Sequence, residues 1–274
     1  MIPIPNPNPI LNQKPFSLAH LRSAFAHSDP KALAAMVQLM PWDYFYDSDE
    51  FTGTLDTVKW TAPTQGAGTT AFAFNAQRNG ALQGTPGATD DSSIGLHYAN
   101  VIFDPADKPM FWLRWVAGAT VTGLQFEIGF SDAKTDEALP GVTDVDADPP
   151  TVANGATDIG CVHMDTDQAV ATARLVGDGT TGAAVGLTLV NRAGTAWTPT
   201  ASAIIDVIVG VEANLTRCWI WDSLAPMGIM QSVAQGPDSG VLVRPYAMFR
   251  TRNTTVKTIS ILKTVIISEE NRTS

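Results

Sequence analysis

Charge is scarce in this chain of 274 residues: only 16% are Asp, Glu, Lys or Arg, and 27 acidic residues against 17 basic ones leave a formal charge of -10. No Lys/Arg cluster is present to neutralise a run of phosphates, so nucleic acid is not an expected partner. Cysteine is nearly absent as well. Cys161 and Cys218 are too few for a disulfide framework, and both sit in apolar strand patterns, IGCVHM and TRCWIW, where they read as buried free thiols. No stretch reaches the roughly eighteen apolar residues of a membrane-crossing helix. The amino terminus, MIPIPNPNPILNQKPF, has no basic n-region ahead of an apolar h-region. Neither a membrane span nor an export signal is expected. Zinc-ligand spacing, a Gly-rich phosphate loop and a dinucleotide fingerprint are missing too, which leaves no cofactor to expect.

What is present begins with proline. Pro3, Pro5, Pro7 and Pro9 fix φ and remove amide donors, so residues 1–16 read as an extended arm without a core of its own. Two short helices are predicted to follow. Ser17 caps the first, with Leu18, Leu21, Ala24 and Phe25 on one face; Asp29 caps the second with Pro30 at its first position, and Pro41 ends it. Such an arm needs an apolar surface to become ordered. Pro3, Pro5, Pro7, Pro9, Phe16, Leu18, Leu21 and Phe25 are its predicted contact residues, either on the chain's own domain or on a neighbouring subunit in a homotrimer. The expected organisation is an arm over 1–41 and one β domain over 42–274.

From Trp42 the composition turns to aromatic, Asp, Gly and Thr, and helical periodicity stops. The stretch MFWLRWVAGATVTGLQFEIGFSD (110–132) alternates in both halves, with Leu124, Phe126, Ile128 and Phe130 on one side and Gln125, Glu127, Gly129 and Ser131 on the other. It predicts a hairpin with one solvated polar face. Further strands are predicted at 69–75, 92–98, 159–164, 169–175, 184–190, 203–212, 217–221, 240–249 and 257–267. Ile205, Val207, Val209 and Val211 should face inward, as should Ile259, Ile261, Val265 and Ile267 with Lys263 as an inward-pointing exception of the kind seen on edge strands. Residues 133–158 carry Pro140, Pro149 and Pro150 without periodicity and are expected to form a surface loop. The fold class is all-β, an antiparallel β-sandwich.

The order DYFYDSDEFTGTLDTVKW, then FEIGFSDA, then CWIWD, then RPYAMFRTRNTTVKTISI resembles the concanavalin A-like lectin/glucanase jelly roll over residues 42–268, in the form found in tailed-phage virion proteins. That resemblance implies a non-enzymatic virion structural protein. It would be a head decoration or fibre-type subunit, anchored by its arm to other capsid or tail proteins and assembled in the host cytoplasm. The alternative it implies is a carbohydrate-binding receptor-recognition module of a phage tail or fibre, reading a host surface glycan. Trp219 and Trp221, which share a strand face, are its possible glycan-facing aromatics.

The chemistry legible in the sequence is thin. Glucanases of this fold carry a Glu-x-Asp-x-(x)-Glu strand; here Glu127 matches the first acid, Gly129 replaces the central Asp, and Asp132 belongs to the opposite face of a regular strand. Retaining hydrolysis needs two carboxyl groups about 5–5.5 Å apart, which this run does not supply. Asp144, Asp146 and Asp148 imitate the start of a calcium loop, but Pro149 stands where glycine is needed and Gly155 where glutamate is needed. A weak calcium site stays open against a solvated acidic loop. His163 and Asp165 share a face with no nucleophile elbow in the chain, so His163 reads as structural.

Overall fold

The computed structural model describes residues 44–75, 80–133, 139–169 and 171–269. The predicted arm and both predicted helices lie outside the described residues. The chain runs through β1 (Tyr44–Asp49), β2 (Trp60–Thr61), β3 (Thr64–Gln65), β4 (Thr70–Asn75), β5 (Ala81–Thr85) and β6 (Ser93–Tyr98). After a 3-10 turn (Pro105–Asp107) come β7 (Met110–Val116), β8 (Leu124–Ser131), β9 (Val142–Asp144), β10 (Thr151–Val152), β11 (Ile159–Asp165) and β12 (Arg174–Asp178). The last six are β13 (Val185–Thr188), β14 (Ile204–Glu212), β15 (Leu215–Asp222), β16 (Ala225–Val233), β17 (Arg244–Thr251) and β18 (Ile259–Glu269). Sheet 1 has the order β16-β15-β14-β7-β18-β5-β4, with β1 also on β18. Sheet 2 has the order β13-β12-β11-β8-β17-β6-β2, with β3 also on β6. The pairings are antiparallel.

The two sheets enclose one core. Phe111, Leu113 and Trp115 enter it from sheet 1, and Phe126, Ile128, Phe130 and Phe249 from sheet 2. Trp115 spans the gap, its ring 5.6 Å from Phe126 and 5.1 Å from Phe249. Ile205, Val207, Val209 and Val211 face this core as their alternation predicts. Cys218 also faces it, and Cys161 is buried in a second cluster; both thiols are free.

Four expectations need correction. The stretch 110–132 is not a hairpin: β7 pairs with β14 and β18 in sheet 1, and β8 pairs with β11 and β17 in sheet 2. Alternation says which residues share a face but not which strand lies alongside, and here the two apolar faces meet across the core. Lys263 does not point inward. A register shift between Ile261 and Lys263 turns the strand over, so Ile266 joins the core in place of Val265 and Ile267, while Lys263 reaches Glu50 at 2.7 Å on the outside. The strand placed at 169–175 is found at Arg174–Asp178, and β5 and β16 were not anticipated because Gly84, Pro226 and Gly228 interrupt their patterns. Finally, residues 139–158 are more than a surface loop. They contain the β9–β10 hairpin and bury Val142 and Val145 with Ile159, Cys161, Val176, Tyr246 and Met248 in a small core of their own.

Candidate functional site

That second core lies on the side of sheet 2 turned away from the first, over the row of side chains expected to meet solvent. Register brings the row together: Glu127 lies opposite His163 on β11 and Met248 on β17, Gly129 opposite Cys161 and Tyr246, and Tyr246 opposite His97 on β6. Gln125 and Ser131 are buried and Glu127 has no exposed surface at all, so the solvated face is overturned. Glu127 is tolerated there because the insert supplies partners that water would otherwise provide.

Glu127 is saturated. The Gly141 and Val142 amides donate to Oε2 and Oε1 at 2.7 and 2.8 Å, the Tyr246 hydroxyl donates to Oε2 at 2.9 Å, and His163 Nδ1 meets Oε1 at 3.0 Å. A carboxylate only accepts, so Nδ1 is the donor in this contact. Arg174 fastens the far side of the insert through the Val145 carbonyl at 2.7 Å and an ion pair with Asp146. Asn154 closes the hairpin on the Pro140 carbonyl at 2.6 Å. Beside this network a cavity of about 20 Å³, lined by His97, Tyr246, Arg244 and Ser131 among others, has room for one water-sized molecule.

The electrostatics suit an anchor rather than a reaction centre. Burial, followed by the neighbouring Cys161 and Glu127, pushes the Tyr246 hydroxyl well above the ordinary phenol range. Burial and the Glu127 carboxylate do the same to the Cys161 thiol. Burial and the nearby Arg244 guanidinium hold His97 down at about 3. Tyr246, Cys161 and His97 are therefore all neutral at neutral pH, and the thiolate a nucleophile requires is suppressed.

The glucanase pattern fails sterically as well as in sequence. A Cβ on Gly129 would stand 2.1 Å from the Gly160 carbonyl oxygen and 2.6 Å from the Cys161 Cα, so no carboxylate fits at that position. Asp132 accepts from the Thr157 amide and hydroxyl and from the Asp158 amide at 2.6 to 3.1 Å, closing the return of the insert. The calcium reading fares no better. Asp144 caps the Asp146 and Ala147 amides, Asp146 is paired with Arg174, and among the described residues no group of three or more His, Cys, Asp or Glu has metal-holding geometry.

The other candidate is the outward face of sheet 1. Cys218 and Ile220 fill the core side of β15, which turns Trp219 and Trp221 outward. They do not form an exposed pair: Trp219 is buried, and Trp221 keeps 44% of its surface. Cross-strand from Trp221 is Asp206, which receives Arg114 Nε and Nη2 at 2.8 Å each and Trp112 Nε1 at 2.7 Å. Arg114 and Lys263 lie over the Trp112 ring at 5.5 and 5.6 Å. The Asp206 centre was missed, although a carboxylate inside the apolar run IIDVIVGVE was a signal for it. Tyr246, His97 and Arg244 left no such signal, because their meeting depends on strand order. Pro3, Pro5, Pro7, Pro9, Phe16, Leu18, Leu21 and Phe25 lie outside the described residues.

No family model and no curated protein matches the chain. Solved structures do. A protein of unknown function from Shewanella oneidensis MR-1 superposes with a TM-score of 0.55 at 11% identity, covering 90% of this chain and 97% of that one. The carbohydrate recognition domain of Emp47p gives 0.52 at 11% identity, covering 81% and 94%. Peanut lectin gives 0.51 at 12%, covering 83% and 98%. At such identities the likeness establishes the fold alone, and that fold is the concanavalin A-like β-sandwich. Lectins and glucanases both use it.

Proposed function

We propose that this chain is a non-enzymatic carbohydrate-binding module of lectin type, with Trp221 as the platform on which the sugar stacks. The observation that carries the reading is the exposure of Trp221 itself. It is the one tryptophan among the described residues that is left exposed, and it sits beside the paired carboxylate and guanidinium of Asp206 and Arg114. A pyranose lays its C–H face on an indole and turns its hydroxyls to neighbouring charged groups. The likeness to peanut lectin and to a carbohydrate recognition domain supports the same class. Hydrolysis is disfavoured because Glu127 is sealed and fully partnered and Gly129 leaves no room for a second acid. On a glycan array the wild-type chain is expected to bind at least one neutral glycan, and Trp221→Ala to bind it at least tenfold more weakly with an unchanged melting temperature. A folded wild-type protein silent across the array refutes the reading.

The structural-subunit reading keeps one specific observation in its favour. Met230 lies opposite Trp219 on the neighbouring strand, Ile204 two residues before the Asp206 that faces Trp221, and Leu224 in the turn after β15; they are 59%, 40% and 60% exposed, apolar surface of the kind that assemblies cover. Light scattering separates the two readings: an oligomer that Trp221→Ala disperses, with no glycan bound by either form, favours assembly in a larger particle such as a virion.

A further inference from the structure

A groove of about 440 Å³ opens on the flank of the sandwich, and its lining includes neither Glu127 nor Trp221. One bank is residues 60–62 at β2, the last strand of sheet 2; the other is Phe72, Ala73 and Phe74 of β4, the last strand of sheet 1. Successive residues of a strand point to opposite faces, so three in a row line one groove only if it runs along the strand's edge. Phe72, Ala73 and Phe74 of β4 meet that condition, and on the other bank Ala62 follows directly on the two-residue β2.

Among the described residues the β4 edge is unguarded. Its one strand neighbour is β5, and its outer edge has no strand partner among the described residues. Natural sheets protect such edges with lysine, proline or inward charge. TAFAFN has none of these, and its single protection is a register shift between Thr70 and Ala73. The opposite edge of the same sheet, β16, carries Pro226.

Two features mark the groove as unfilled. Phe74 points to the core side opposite the buried Leu82 yet keeps 38% of its surface in solvent. Trp60, which also lines the groove, is only 1% exposed, yet its indole N–H has no acceptor among the described residues. A buried donor left unpaired costs stability that an incoming acceptor would restore.

We propose that this groove takes an extended, uncharged peptide segment of a partner protein. The segment adds to the outer edge of β4 as the next strand of sheet 1, places an apolar side chain against Phe72 and Phe74, and offers a carbonyl oxygen to Trp60. The recognition chemistry is that of backbone for backbone: a free strand edge calls for a regular array of amides and carbonyls. The groove's lining residues are all uncharged, which rejects charged side chains. A neutral sugar satisfies the Trp60 N–H but not the strand edge.

The test uses the full-length chain with a capped octapeptide of alternating threonine and valine. Two versions of that peptide, N-methylated along one edge or the other, serve as controls, together with maltose. Hydrogen exchange at residues 70–75 is expected to slow at least tenfold with the parent peptide, and at least one methylated version to bind at least tenfold more weakly. Ala73→Lys and Phe74→Thr should each weaken peptide binding at least tenfold with the far-UV spectrum retained, while Trp221→Ala leaves it unchanged. Equal binding of all three peptides overturns strand addition. So does maltose protecting these amides when no peptide does, or the absence of any protection by the parent peptide.

Discussion

Glu127→Ala is expected to destabilise the protein by on the order of 3–5 kcal/mol, the range found when one partner of a fully buried charged network is removed. The substitution strands the Gly141 and Val142 amides, the Tyr246 hydroxyl and His163 Nδ1 in a buried site where no other side chain replaces the carboxylate. Glu127→Gln keeps one acceptor oxygen but aims an amide NH₂ at donors, so it should recover only part of the loss. Urea unfolding of the three proteins measures the order, and limited proteolysis within 139–158 should become faster in the same sequence. Wild-type stability in Glu127→Ala would show that the insert is held by its apolar contacts alone.

The second large effect is on acid stability and belongs to His97. Its neighbours include Arg244, which opposes a second positive charge, and the neutral Tyr246 ring at 5.9 Å. The folded value of about 3 lies below the ordinary 6.5. Above pH 6.5 neither state binds a proton at this ring, and His97 has no effect on the pH dependence. As pH falls from 6.5 toward 3 the unfolded chain takes up a proton that the folded chain refuses, so stability is lost across that window at up to about 1.4 kcal/mol per pH unit, on the order of 5 kcal/mol in all. Asp158 and Asp178 act in the opposite sense, since burial and neighbouring carboxylates raise both above the usual range. They are common to wild type and variant, so the difference isolates the histidine. In urea titrations at pH 7, 5 and 3.5, His97→Leu should lose less stability with acid than wild type; parallel losses would place the acid sensitivity elsewhere.

Alternation made most of the sandwich legible. The inward set of β14 and the core row of β8 were readable because period two is a local property of the chain. Strand partnership is not local. The two halves of 110–132 look like neighbours in sequence and lie in different sheets, and a single-residue shift at Lys263 exchanged Val265 for Ile266 in the core. The Glu127 site shows the same limit. Its carboxylate was identifiable, but its partners come from an insert whose polar, proline-rich composition reads as solvated, and the few valines that seat it carry no periodic signal. Trp219 and Trp221 had identical credentials in the sequence; only their different burial distinguishes them.

The small core under the insert changes what kind of strand β8 is. All eight of its residues, Leu124 to Ser131, are buried: the even ones in the core between the sheets, the odd ones on the opposite face, where Glu127 holds the insert. A surface strand offers every second position to drift, and the short β13 retains such freedom with Val185 and Leu187 partly exposed. Along β8 no position is neutral: even residues answer to the packing between the sheets, and odd residues to the neighbouring strands and, at Glu127, to the insert. Substitutions in homologues should therefore travel in pairs between 125–131 and 139–152, so that covariation, rather than conservation of any single residue, becomes the inherited signature of this sandwich.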